Sequence, residues 1–179
     1  QGFIAWFALS DRLRKDAAAT ITGFQQQGIE VEILSGDRSP VVTKLAKALG
    51  VNKVVSGASP QDKLEHLQQL QRKGDYVLMV GDGINDVPVL AGAPISVAMG
   101  KATDLAKTTA DAVLTSNQLI HLLEALKHGQ KTRDIIKQNI AWALIYNGLA
   151  LPLAAMGQIP PWAAATGMSL SSLVVVGNA

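Results

Sequence analysis

Cysteine is missing from all 179 residues, which excludes a disulfide scaffold, a zinc ribbon and Cys-centred catalysis within the chain. Aromatic side chains are scarce, at 4%. Charge balance is near neutral, with 16 Lys+Arg against 14 Asp+Glu and a net charge of +2. That gives no basic footprint for a phosphate backbone, so no nucleic-acid partner is expected. The most informative absence is regional: every charged residue lies between Asp11 and Lys137, and none occurs from Gln138 to Ala179. What is present is apolar, 48% of the chain, too much for a disordered polymer. The division marks a charged domain, 1–126, joined to a membrane domain, 127–179.

The uncharged tail breaks at Gly157-Gln158-Ile159-Pro160-Pro161 into two spans, 135–157 and 161–179. As helices they would be ~34 Å and ~28 Å long, close to a hydrocarbon core of ~30 Å. Lys127, Lys131, Arg133 and Lys137 crowd the entrance to the first span, which puts that end on the cytoplasmic side. Trp142 and Trp162 fall near span ends, where indoles favour the headgroup layer. The tail therefore reads as a transmembrane helical hairpin in contact with membrane lipid. Asn139, Tyr146, Asn147, Thr166, Ser169, Ser171, Ser172 and Asn178 need polar partners there.

In the charged domain, short apolar runs alternate with helical stretches. Strands are expected at Phe3–Leu9, Ile29–Leu34, Val54-Val55, Tyr76–Val80, Ile95–Met99 and Ala112–Thr115. Helices are expected from Lys15 to Gln27, from a Ser39 cap to Gly50, from a Ser59 cap to Lys73, and around Ala102–Lys107. This alternation predicts an α/β fold with a doubly wound, Rossmann-type parallel sheet. Ligands of such sheets lie beyond the carboxyl ends of the strands.

Three segments at those ends carry chemistry. Ser35-Gly36-Asp37 offers a hydroxyl and an amide able to donate to a phosphoryl oxygen, although the same text makes an ordinary turn. Lys63 lies in the first turn of its helix, where the helix dipole disfavours a cation; a lone helical Lys is ordinarily solvated, and this placement makes sense if the ammonium faces an anionic phosphoryl group. Gly81-Asp82-Gly83-Ile84-Asn85-Asp86-Val87-Pro88 places two carboxylates and an amide on a tight turn, a hard-oxygen arrangement suited to Mg²⁺. His66, His121 and His128 show no ligand spacing and read as surface residues.

These three segments occur in the order and spacing of the haloacid dehalogenase superfamily. The run Val80–Leu90 is similar to the phosphorylation domain of P-type ATPases, and Asp11-Arg12-Leu13-Arg14 resembles the segment by which those pumps re-enter that domain. In the tail, Asn139, Tyr146-Asn147 and Pro152, then Met168, Ser171-Ser172 and Asn178, resemble the paired helix signatures of copper(I)-transporting heavy-metal ATPases.

The resemblance implies a pump that uses ATP and forms an aspartyl phosphate to move Cu⁺ out of the cytoplasm. It would reside in a bacterial plasma membrane with 1–126 cytoplasmic, and a copper chaperone is an implied partner. Asp82 and Asp86 would bind Mg²⁺, with Asn85 completing the site. Ser35, Gly36 and Asp37 would line the phosphoryl position, and Lys63 would neutralise charge. Asn139, Tyr146, Asn147, Met168, Ser171 and Ser172 would serve the Cu⁺ path. The family carries Thr where Ser35 stands; the hydroxyl is kept and the methyl lost. Zinc pumps carry Lys and Asp in these helices, whereas a thioether with neutral oxygens suits a soft monovalent ion. The Asp-Lys-Thr-Gly-Thr loop and the Cys-Pro-Cys motif do not occur here, and the chain starts at Gln1. A C-terminal fragment of a longer pump, inactive by itself, is the expectation. The competing readings are a soluble haloacid dehalogenase-type phosphatase and a non-catalytic, membrane-anchored module that binds Mg²⁺ or phosphate.

Overall fold

Apolar alternation and glycine stops generate the short elements of the charged domain. The computed structural model describes residues 13–38 and 40–179; the expected strand Phe3–Leu9, Asp11-Arg12 and the Ser39 cap lie outside the described residues. The chain divides into two compact units, Gln1–Leu123 and Glu124–Ala179.

In the first unit the order is α1 (Ala17–Gln26), β1 (Glu32–Leu34), α2 (Pro40–Ala48), β2 (Lys53–Val55), α3 (Pro60–Arg72), β3 (Leu78–Gly81), α4 (Val87–Gly92), β4 (Ile95–Met99), α5 (Asp104–Thr109) and β5 (Ala112–Leu114). A 3₁₀ turn, Ile84–Asp86, precedes α4. The expected tight turn is this 3₁₀ turn, while α4 has no signal in the sequence, because Pro88 and the paired glycines hide so short a helix. All ladders are parallel, as helical crossovers require. The parallel α/β architecture is as expected; among the described residues its strands form two ladders, β1-β2 and β3-β4-β5. Each ladder joins strands linked by a single short helix (α2, α4 or α5), whereas the α3 connection does not bring β3 beside β1 or β2.

The core is built from small residues. Leu90, Ala98, Ala102 and Ala106 form its centre, with Met79, Val87 and Ala110 against them. Small side chains let backbone come close: a Cβ at Gly100 would lie 2.6 Å from the Thr115 carbonyl oxygen. Buried Ser96 is satisfied by Asp111, whose Oδ2 accepts from the Ser96 N–H at 2.8 Å and from its hydroxyl at 2.9 Å.

Charge on β1 and β2 is paired rather than scattered. Lys53 reaches Glu30 at 2.8 Å and Glu32 at 3.2 Å. His66, expected at the surface, is partly exposed there, with Nε2 2.7 Å from Glu32 Oε2. Burial pushes the Glu32 carboxyl up, but the His66 and Lys53 contacts outweigh it and hold the group below its ordinary value.

The second unit consists mainly of the remainder of α6 (Ile120–Ala155) and α7 (Pro161–Asn178). Gly157, at φ +71°, supplies the left-handed residue that ends the first helix. The expected transmembrane spans require correction: among the described residues, no helix is long and apolar enough to cross a membrane. The physical reason is the polar content of both helices, including Asn139, Asn147, Ser169, Ser171 and Ser172. Several of these side chains find partners within the hairpin. Asn178 Nδ2 donates to Asn139 Oδ1 at 2.9 Å, and Asn139 Nδ2 to the Val175 carbonyl at 3.4 Å. Trp142 Nε1–H donates to Ser171 Oγ at 3.1 Å, a tie to the facing helix in addition to any headgroup contact. A Cβ on Gly167 would lie 2.7 Å from Tyr146 Oη, so the helices approach closely there.

Two outcomes are expected in denaturation experiments. Gly100→Ala should lower stability by about 1–3 kcal/mol, because the crowding atoms are backbone carbonyls that cannot swing aside. The depressed Glu32 carboxyl stabilises the fold above its ordinary value of 4.5 and loses that contribution as pH falls through the lower folded value. Acid unfolding followed by circular dichroism should therefore be shallower in Glu32→Gln; an unchanged acid limb would remove this pairing from the account.

Candidate active site

The β1 and β2 exits are laced together before any side chain enters the site. The Ser35 N–H donates to the Val55 carbonyl at 2.8 Å, Ala58 N–H to the Ser35 carbonyl at 2.9 Å, and Gly57 N–H to the Asp37 carbonyl at 3.0 Å. Gly57 adopts φ +70°, and a Cβ there would press on Arg38. Ser35 Oγ accepts from the Asp37 N–H at 3.1 Å, a local turn that leaves the hydroxyl hydrogen free to donate. Gly36 and Asp37 are exposed.

Directly after this lacing comes a capping box. Asp62 N–H donates to Ser59 Oγ at 3.1 Å, while the Ser59 N–H and hydroxyl donate to Asp62 Oδ2 at 2.9 and 2.7 Å. Those bonds hold the Asp62 carboxyl below its ordinary range and fix the first turn of α3. Lys63 follows in that turn. It is only 7% exposed, and its Nζ lies 2.7 Å from Asp86 Oδ1.

Asp86 is placed from the other side. The turn after β3 carries the Asp86 N–H to the Gly83 carbonyl at 3.1 Å, and the Gly83 N–H returns to Asp86 Oδ2 at 3.3 Å. Gly81 is needed here, since a Cβ on it would sit 2.9 Å from the Asp86 Cβ. Asp82 points outward, its side chain 61% exposed and 3.7 Å from the Arg14 guanidinium. Asn85 is also exposed. Thus Lys63, Asp86 and Asp82 gather at the β3 exit, while Ser35 belongs to the same end of the fold through Ala58 and Ser59.

The donor set fits one kind of metal. Among the described residues, no three His, Cys, Asp or Glu side chains gather as a cage. Two carboxylates of unequal availability remain: Asp86 is committed to Lys63, and Asp82 is open. Mg²⁺ accepts such sites, completing its shell with water and substrate oxygens. Asp82 would be the principal ligand, with Asp86 and the Asn85 amide near it.

A second gathering occurs in the hairpin. Tyr146, Asn147, Met168, Ser171 and Ser172, with Ala143, line an open cavity of about 180 Å³. Asn139 is not part of that lining. Ser172 spends its hydroxyl hydrogen on the Met168 carbonyl at 3.0 Å, which leaves oxygen lone pairs as its remaining capacity. A larger hollow of about 480 Å³, lined by residues including Thr43, Lys47, Gly50 and Asn52, borders the amino end of β2. Parallel sheets place their chemistry at the other end, so its size does not make it the site.

These features meet known proteins in a definite way. The haloacid dehalogenase-like hydrolase family matches residues 3–94. The chain belongs to that family. This haloacid dehalogenase-like chain is also homologous, over nearly its whole length, to heavy-metal P-type ATPases. It is 46% identical to a protein of Haemophilus influenzae named "Probable cation-transporting ATPase", over 98% of this chain and 24% of that protein. A copper-exporting P-type ATPase of Bacillus subtilis is 37% identical over 96% of this chain and 21% of its own length. The crystal structure of a zinc-transporting PIB-type ATPase in its E2.Pi state superposes with a TM-score of 0.87 at 36% identity, covering 94% of this chain and 28% of that one. The haloacid dehalogenase-like chain thus spans about a quarter of the length of the curated relatives it matches.

Two contacts escaped the reading of the sequence as functional positions: the Arg14–Asp82 pair and the Trp142–Ser171 bond. Neither has a local signal, because partners so far apart in the chain meet only through the tertiary fold.

The Lys63–Asp86 pair makes a sharp prediction. Lys63→Met should cost about 3–5 kcal/mol by stranding a buried carboxylate, whereas Lys63→Met/Asp86→Leu should recover most of it. Urea titration of the two variants checks this. Equal losses would show that the pair is not the element holding these segments together.

Proposed function

We propose that this chain is part of an ATP-driven copper(I) pump, contributing the Mg²⁺-binding half of its phosphorylation domain and two helices of its membrane domain. The observation that carries this reading is the strand-end cluster, Lys63 buried against Asp86 with Asp82 exposed beside it, in a chain homologous to heavy-metal ATPases. Phosphoryl transfer needs positioning and charge neutralisation more than covalent help from the surroundings. The phosphorylated aspartate would come from elsewhere in the complete protein. Lys63 would offset charge on the transferring group, and the Ser35 hydroxyl and Gly36 amide would donate to its oxygens, with Asp37 beside them. Bound at Asp82 and Asp86, near Asn85, Mg²⁺ would supply neutralisation of the phosphoryl oxygens.

Copper(I) is favoured over zinc by the hairpin cavity. Its donors are the Met168 thioether and the neutral oxygens of Tyr146, Asn147, Ser171 and Ser172, with no carboxylate to meet a divalent charge. Asn139, bonded to Asn178, would hold the mouth of that path. The hairpin is proposed to lie in a bacterial plasma membrane as one pair within a larger bundle. Neither helix suffices alone, but the polar seam can face protein while exposed Leu144, Leu149, Leu151, Leu173 and Val176 face lipid. Lys127, Lys131, Arg133 and Lys137 favour a cytoplasmic position for that end of α6. A copper chaperone would then be able to deliver Cu⁺ from the same side.

Two variants of the complete pump test the two halves separately. Asp82→Asn should abolish Mg²⁺-dependent phosphoenzyme. Met168→Ala should reduce copper-stimulated phosphorylation by ATP while sparing phosphorylation by inorganic phosphate. Copper stimulation that survives Met168→Ala unchanged would sink the cargo assignment, and equal stimulation by zinc would redirect it.

A further inference from the structure

The charges at the β3 exit do not stop at the buried pair. Arg14 enters from the segment ahead of α1 and is held in two places. One terminal nitrogen donates to the Asn117 carbonyl at 3.0 Å, and the other lies 3.7 Å from Asp82 Oδ2. Asn117 is itself anchored, since its side-chain oxygen accepts from the Lys101 N–H at 3.0 Å. The approach of Arg14 is fixed again two residues later, where Asp16 Oδ2 accepts from the Ile120 N–H at 3.0 Å. The guanidinium is therefore a built feature of the strand end, fork-shaped and permanently charged.

The charge count there is balanced. Asp86 has Lys63, and Asp82 has Arg14. Yet Asp82 is the open carboxylate, the one a hard cation would take. We propose that Arg14 is a positioning residue that competes with the divalent cation for Asp82: it neutralises that carboxylate in the metal-free protein and must release it when the ion binds. The inference rests on the reading of Asp82 as the principal Mg²⁺ ligand.

Two consequences follow from the geometry. Metal affinity is set below what the carboxylates alone would give, because the ion must displace an existing partner. Metal binding also frees a guanidinium still tethered to the Asn117 carbonyl, beside the carboxylate that takes the ion. The coupling is modest, because both side chains are substantially exposed, 36% and 61%, and such pairs are screened by solvent.

Direct titration of the full chain in detergent micelles with Mn²⁺, followed by electron paramagnetic resonance at low ionic strength, tests this without any activity assay. Arg14→Gln should bind Mn²⁺ about two- to fivefold more tightly than the unmodified chain. Arg14→Lys, which keeps the charge, should remain near the unmodified affinity. Asp82→Asn should lose the site. If Asp82→Asn abolishes binding but Arg14→Gln leaves it unchanged or weakens it, the competition is refuted while the metal site stands. If the unmodified chain and Asp82→Asn bind Mn²⁺ alike, the metal-site reading itself fails, and the role of Arg14 with it.

Discussion

The Lys63–Asp86 pair is the constraint on which the charged domain depends. Neither group is tolerable alone in a buried position, so each fixes where the other must be. Lys63 follows β2 through the capping box of α3, and Asp86 follows β3 through a 3₁₀ turn. The pair consequently ties the helix that follows the β1-β2 ladder to the exit of β3 in the β3-β4-β5 ladder, two sheets that share no backbone ladder among the described residues. Packing supports the same junction: Gly92 of α4 sits against Leu64 and Leu67 of α3, with room for no larger residue unless Leu64 moves. Under the proposed function, a structural ion pair and a site for an anionic substrate would be one feature. The ammonium that holds the fold together binds Asp86, on the same turn that carries the exposed carboxylate of Asp82.

The hairpin obeys the opposite economy. From Gln138 onward it has no charge to pair, so the specificity there comes from neutral hydrogen bonds and close backbone approach. Asn139, Trp142 and Tyr146 recur at helical spacing along α6 and meet Asn178, Ser171 and Gly167 of α7. This seam is the reason that neither helix reads as a membrane span by itself: the groups that align the pair are the groups that dilute its apolarity. Exposed leucines and valines on the remaining surface mean that the pair cannot be a finished unit in water.

Local chemistry decided what could be read from the sequence. Ser59-Pro60-Gln61-Asp62 announces a capping box, and the structure contains that box atom by atom. Ile95–Met99 was bounded correctly because an apolar run ends at a glycine that backbone crowding demands. The strand-end segments were legible as turns rich in Gly and Asp, but their mutual placement was not. That Lys63 would spend its charge on Asp86, or that Arg14 would reach Asp82, depends on helix rotation and crossover geometry that no local spacing encodes. The contact of His66 was hidden for the same reason, since its partner Glu32 lies on a different element. The break between the two ladders was also hidden, because strand patterns report which segments are extended and not which edges meet.

Backbone likeness and metal choice are separate matters, and the zinc pump makes the distinction useful. A TM-score of 0.87 over 94% of the chain describes how helices and strands are arranged; it does not report which side chains line a cavity. Selection between a monovalent soft ion and a divalent borderline one is set by donor charge and polarisability. A divalent ion in a site without carboxylates would keep an uncompensated charge in surroundings poor in water, which is costly. The cavity of the hairpin offers sulfur and neutral oxygen alone. Under the proposed function, then, the same backbone frame would serve different ions by changing a few side chains on two helices, while the strand-end cluster that handles phosphate stays the same whatever is carried.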